Sequence, residues 1–101
     1  MNIQMNEPTA DGRLSRELPI INRKGLHARA TAKFVQCVET FNADVTVTRN
    51  GETVGGTSIM GILTLGAGNG SSIIVTSEGP QAEAALEAIA ALVANRFGED
   101  E

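Results

Sequence analysis

The chain has 101 residues, 42% of them hydrophobic, and its eight basic and twelve acidic side chains give a formal net charge of −4. That length supports a single domain with one modest core, and with no Trp or Tyr and only three Phe the core has to be aliphatic. An acidic balance argues against nonspecific nucleic-acid binding, which draws its affinity from a basic surface, although Arg23, Lys24, Arg29 and Lys33 gather into a local positive patch.

Cys37 is the only cysteine, so no internal disulfide can form. One His and one Cys fall short of a zinc ligand set, and no metal or cofactor is expected. The first residues lack the apolar segment of a signal peptide, and no run is long enough to cross a bilayer. A cytoplasmic protein without membrane insertion is the expectation.

Residues 1–15 are polar, contain Pro8 and Gly12 and show no period, so they read as a flexible extension before a domain over 16–101. Glu17 to Asn22 reads as a short strand, with Pro19 confining it to an edge or to one-sided pairing. A helix is predicted from Ala28 to Thr40. Ala30, Phe34, Cys37, Val38 and Phe41 form its apolar stripe, and Cys37 reads as a packing residue. Asp44 to Thr48 alternates with the period of a half-buried strand, and Asn50-Gly51 predicts a tight hairpin into Glu52 to Gly55. Thr57 to Leu63 predicts a brief helix with Ser58 at its N-cap. Gly66, Gly68 and Gly70 end it. Although this stretch resembles a phosphate-binding glycine loop, it precedes a strand and reads as a turn. Ser71 to Ser77 is apolar on both faces around Ile73-Ile74-Val75, which predicts a central strand. The last helix is expected to open with Pro80 and to bury Leu86, Ile89, Leu92, Val93 and Phe97. The tail Glu99-Asp100-Glu101 is expected to fray.

The order is βαββαβα. Helices apolar on one side imply one covered sheet face: an α+β open-faced β-sandwich, a four-stranded antiparallel sheet with three helices on one face. Thr46 and Thr48 are expected on the other, wetter face.

The chemistry-bearing stretch is Asn22 to Ala30. It places the only histidine, His27, where a strand gives way to a helix. The unpaired N–H groups of a helix start, together with the positive end of its dipole, hold anions. Arg29 adds a guanidinium suited to phosphate oxygens. A nucleophilic imidazole beside an anion cradle meets the needs of a transient phosphohistidine. On residues alone, two other classes stay open. One is a small enzyme using His27 as acid, base or nucleophile, although no second catalytic group is evident. The other is an interaction module that carries no phosphate.

Two motifs together resemble one family. Gly25-Leu26-His27-Ala28-Arg29 is similar to the phosphorylation-site signature of HPr, the small histidine phosphocarriers of the bacterial phosphoenolpyruvate-dependent phosphotransferase system. Ser58-Ile59-Met60-Gly61-Ile62-Leu63-Thr64-Leu65-Gly66 is similar to that family's second signature. The likeness covers about Glu17 to Phe97. It implies a carrier, not an enzyme, in which His27 accepts a phosphoryl group on Nδ1 (a pros-phosphohistidine) from Enzyme I and passes it to an Enzyme IIA-type domain. It further implies that Arg29 balances charge in transit, with the amides of Ala28 and Arg29 on the phosphate oxygens, and that Ile59, Met60 and Leu63 form a docking patch while Ile62 is core. Ser58 corresponds to a regulatory serine modified in some bacteria by an HPr kinase/phosphorylase; read by itself, it is a helix cap. A monomer is expected. Many sugar-transport members carry basic residues where Gln36 and Glu39 stand here, so both the sugar-transport and the nitrogen-related branch of the system fit.

Overall fold

The computed structural model describes residues 7–8 and 13–99. Most of the N-terminal extension, and Asp100 and Glu101 of the tail, lie outside the described residues. The elements are β1 (Glu7–Pro8), β2 (Leu14–Pro19), α1 (Ala28–Glu39), β3 (Asp44–Arg49), β4 (Glu52–Gly55), α2 (Ile59–Thr64), β5 (Ser72–Glu78) and α3 (Ala82–Ala94), followed by a 3₁₀ turn at Arg96–Gly98. From β2 onward this is βαββαβα. The sheet runs β1-β2-β5-β3-β4 with every pair antiparallel. The two-residue β1 adds a minimal fifth strand to the four-stranded sheet.

The alternation of β3 and β5 decides which face is covered. Val45 and Val47 on β3, and Ile73, Val75 and Ser77 on β5, are buried, while the residues between them are not. On the covered face α3 packs on β2 and β5, and α1 packs on α2 and α3. Thr46 and Thr48 lie half-buried on the open face, where the hydroxyls of Thr48 and Thr53 meet at 2.7 Å across the hairpin. The fold is therefore the open-faced α+β sandwich. β5 is central, with β2 and β3 on its two sides, but it is not buried on both: Ile74 stands 42% exposed on the open face.

The hairpin at Asn50-Gly51 has positive φ at both residues, 54° and 82°, as a type I′ turn demands. Ser58 caps α2, its Oγ accepting the Gly61 N–H at 3.0 Å.

Four local expectations are corrected. The first strand runs Leu14–Pro19, three residues earlier than read from Glu17 to Asn22, and its register with β5 pairs Leu14 with Ser77 and Pro19 with Ser72. Arg16 hid the alternation. It occupies a covered position between Leu14 and Leu18, lays its stem against the fold and reaches Glu87 of α3 at 3.3 Å. Helix α1 buries Ala30, Thr31, Phe34, Val35 and Val38. Its stripe is rotated from the expected one, because it must face both α2 and α3, and Cys37 and Phe41 are only half-buried against the core. Burial pushes the Cys37 thiol pKa above its ordinary value. Helix α3 starts at Ala82, not Pro80. Gln81 is held outside it by reciprocal bonds with Asn42, its N–H donating to the Asn42 carbonyl and its Oε1 accepting the Asn42 N–H. Finally, Phe97 is buried as expected but lies beyond α3. Arg96 and Phe97 both take positive φ (55° and 56°), which turns the chain back and prevents Glu99 from fraying.

Candidate functional site

The site is built on the segment linking β2 to α1. Asn22 closes the segment on itself: its carbonyl accepts the Gly25 N–H at 3.2 Å, and its Nδ2 donates to the Gly25 carbonyl at 2.8 Å. Gly25 has φ +65° and presses on the backbone after α2 so closely that a Cβ would sit 2.6 Å from both the Ala67 carbonyl oxygen and Gly68 Cα. Leu26 donates its N–H to the Ala67 carbonyl at 2.9 Å, and Asn69 Nδ2 lies 3.2 Å from the carbonyls of both Ile21 and Asn22. The glycine-rich stretch read as a turn is thus a backbone strap across the His27 segment.

His27 is the N-cap residue of α1, with extended backbone (φ −76°, ψ −177°), and its carbonyl accepts the Thr31 N–H at 2.8 Å. Its side chain does not cap the helix, so the first amides of α1, from Ala28 and Arg29, stay available. The imidazole is 28% exposed. It lines a cleft of about 610 Å³ with Lys24, Ala28, Arg29, Lys33, Gly98 and Glu99. Three cationic side chains and one helix start therefore border the ring, which favours an anion there.

The two ring nitrogens differ. Nε2 lies 2.5 Å from Oε2 of Glu99, while Nδ1 has no hydrogen-bond partner among the described residues. The other carboxylate oxygen of Glu99 accepts from Asn22 Nδ2 at 3.1 Å. Lys33 Nζ donates to the Phe97 carbonyl at 2.6 Å, tying α1 to the turn that carries Glu99. Glu99 is only 12% exposed. Asn22 is fully buried, and its Oδ1 has no partner among the described residues.

The structure brings His27, Ala28 and Arg29 into one cleft. Ser58, Ile59, Met60 and Leu63 lie on α2, which packs on α1 and leads directly into the strap that grips Gly25 and Leu26. Ile59 and Met60 are 44% and 71% exposed, Leu63 is half-buried and Ile62 is sealed. Arg49 Nη1 donates to the Leu65 carbonyl at 2.9 Å and so ties off the C-terminal end of α2. Asn22, Asn69 and Glu99 were missed. The contacts that give them a role are long-range, Asn22 to Glu99, Asn69 to Ile21 and Asn22, and Glu99 to His27, and Glu99 sat in an apparently solvated acidic tail.

A family profile for the "PTS HPr component phosphorylation site" matches residues 14–95. The chain belongs to the HPr family. It is 48% identical over 88 residues to the phosphocarrier protein HPr of Cupriavidus necator, covering 87% of this chain and 99% of that one. It is also 38% identical over 87 residues to the phosphocarrier protein NPr of Shewanella violacea, covering 86% and 96%. The crystal structure of HPr from Thermoanaerobacter tengcongensis superposes with a TM-score of 0.83 at 36% identity, covering 86% of this chain and 98% of that one. Membership in the HPr family makes this a phosphocarrier of the phosphotransferase system. No helix among the described residues is long and apolar enough to cross a membrane.

Gly25→Ala is expected to destabilise the protein by roughly 1–3 kcal/mol in urea denaturation, since alanine is strained at this φ. Because its Cβ would collide with the strap, the amide resonances of Leu26, His27 and Ala67 should move, while those of the Asn50-Gly51 hairpin should not.

Proposed function

We propose that His27 is the phosphoryl acceptor, taking the group on Nδ1 from Enzyme I charged by phosphoenolpyruvate and passing it to an Enzyme IIA-type domain. The carrying observation is the difference between the ring nitrogens: Nε2 is occupied by Glu99, and Nδ1 has no partner among the described residues at the start of α1. The step needs an in-line displacement with little covalent help from the protein. The Nδ1 lone pair attacks phosphorus, a new N–P bond forms, and the bond to the donor breaks with its electron pair leaving on the donor. The N–H groups of Ala28 and Arg29 then hold the phosphate oxygens, and the Arg29 guanidinium offsets their charge. A loose transition state gains from such fixed dipoles, and α1 fixes them before reaction.

Ile59, Met60 and Leu63 form the docking patch for both partners. Exposed Met60 supports this, because an unbranched thioether adapts to more than one surface. The contact is small and transient, and a single copy of the chain suffices for it.

Ser58 is a second, regulatory acceptor for an HPr kinase/phosphorylase. Its hydroxyl is exposed at the edge of the patch. A phosphate there adds about −1.5 to −2 charge. The cap geometry tolerates it, through the dipole of α2. Docking does not, because that charge must be desolvated against apolar Ile59 and Met60. The relatives include proteins named HPr and NPr, and the chain fits a sugar-transport or a nitrogen-related relay alike.

Three experiments test these assignments. His27→Ala should keep the wild-type circular-dichroism spectrum and accept no acid-labile label from Enzyme I and phosphoenolpyruvate; retained labelling refutes the acceptor. Met60→Glu should fold normally and lower kcat/KM for transfer by about tenfold, the loss of roughly 1.4 kcal/mol of docking energy; unchanged rates place the patch elsewhere. Ser58→Asp should weaken transfer in the same direction, and wild-type protein should gain one phosphate from ATP and HPr kinase/phosphorylase. No gain removes the regulatory role.

A further inference from the structure

We infer that Glu99 is a positioning residue for phosphoryl transfer at His27: its carboxylate accepts the Nε2–H, fixes the ring in the tautomer with a free Nδ1 lone pair, and stabilises the cationic ring formed when Nδ1 bonds phosphorus. This rests on the reading of His27 as the phosphoryl acceptor and adds a residue to that machinery.

The geometry behind it is a chain of contacts. Oε2 of Glu99 lies 2.5 Å from Nε2. An ionised carboxylate only accepts, so Nε2 carries the proton, and in the neutral ring that attacks phosphorus Nδ1 then carries none. The carboxylate is itself held, with Oε1 on Nδ2 of fully buried Asn22 at 3.1 Å. Asn22 is fixed in turn by the Gly25 carbonyl at 2.8 Å. The backbone below Glu99 is anchored twice, by sealed Phe97 and by the bond from Lys33 to the Phe97 carbonyl. The turn that delivers Glu99 is a cost the chain carries: Arg96 and Phe97 both adopt left-handed φ, disfavoured for side chains of their size. Glu99 shares the cleft with Lys24, Arg29 and Lys33, whose charges partly offset its own.

The consequence for the reaction follows from electron bookkeeping. When the Nδ1 lone pair becomes the N–P bond, the imidazole keeps its Nε2 proton and gains positive charge. The donor's bond to phosphorus breaks, and its electron pair stays on the donor. No proton has to leave. A carboxylate on Nε2–H strengthens its bond as that charge develops, the differential stabilisation that speeds a step. Histidines elsewhere are held by carboxylates in the same manner.

The test separates this role from simple structure and from the acceptor assignment. Wild type, Glu99→Gln and Glu99→Ala are compared by ¹⁵N spectroscopy of the His27 ring at a pH where it is neutral, and by phosphoryl acceptance from Enzyme I. Wild type should show Nε2 as the protonated nitrogen, with slowed exchange of its proton. Glu99→Ala should give a mixed tautomer pattern with fast exchange, and kcat should fall about tenfold with KM little changed. Glu99→Gln keeps a neutral acceptor oxygen, so it should preserve the tautomer and recover only part of the rate. Ring signals and rates unchanged in Glu99→Ala overturn the proposal. So does a rise in KM alone, which would mark Glu99 as a contact for Enzyme I. Wild-type protein that takes no label defeats the acceptor reading and this role with it; the ring signals, which need no phosphoryl donor, distinguish that failure from loss of the hydrogen bond.

Discussion

The site depends on one close approach of backbone to backbone. Gly25 lies against Ala67 and Gly68 with no space for a single extra carbon, and Leu26 hydrogen-bonds the Ala67 carbonyl. That contact sets where α1 can begin, and so where His27, Ala28 and Arg29 stand. It also joins the two signature segments. The strap follows α2 directly, so the helix carrying the apolar patch and the loop carrying the imidazole are parts of one rigid unit. The imidazole and the exposed apolar side chains of α2 are thereby linked through backbone alone.

Separate elements contribute to the ring's surroundings for different physical reasons. The start of α1 gives unpaired amides because every helix must. Lys24, Arg29 and Lys33 give charge of one sign within a chain that is acidic overall. The turn after α3 returns a carboxylate to the nitrogen opposite the vacant one. A protein too small to enclose a substrate can still differentiate two atoms of one side chain in this way.

Much of this was legible from local patterns. The alternation of Asp44 to Thr48, the Asn50-Gly51 turn and the Ser58 cap each depend on a few adjacent residues, and each stands where the pattern put it. So does His27 at the head of α1. The failures share a cause: in each, a distant contact outweighed a local preference. Arg16 is charged yet occupies a covered strand position because Glu87 and its own stem allow it. Pro80 favours a first helical turn, yet Asn42 holds Gln81 outside the helix. Glu99 looked like solvated tail, and only the left-handed turn at Arg96 and Phe97 returns it to the ring. Asn22 looked like the end of a strand, whereas it is the buried brace between loop and tail.

Arg49 shows how far such ties extend. It ends β3, beside the hairpin turn, and its guanidinium grips the carbonyl of Leu65 at the close of α2. A strand tip outside the cleft thus becomes a fastening for the helix that bears Ile59 and Met60. Sequence change at the hairpin is therefore not silent: by loosening that fastening it shifts the exposed apolar side chains of α2 without altering a single atom of the cleft around His27.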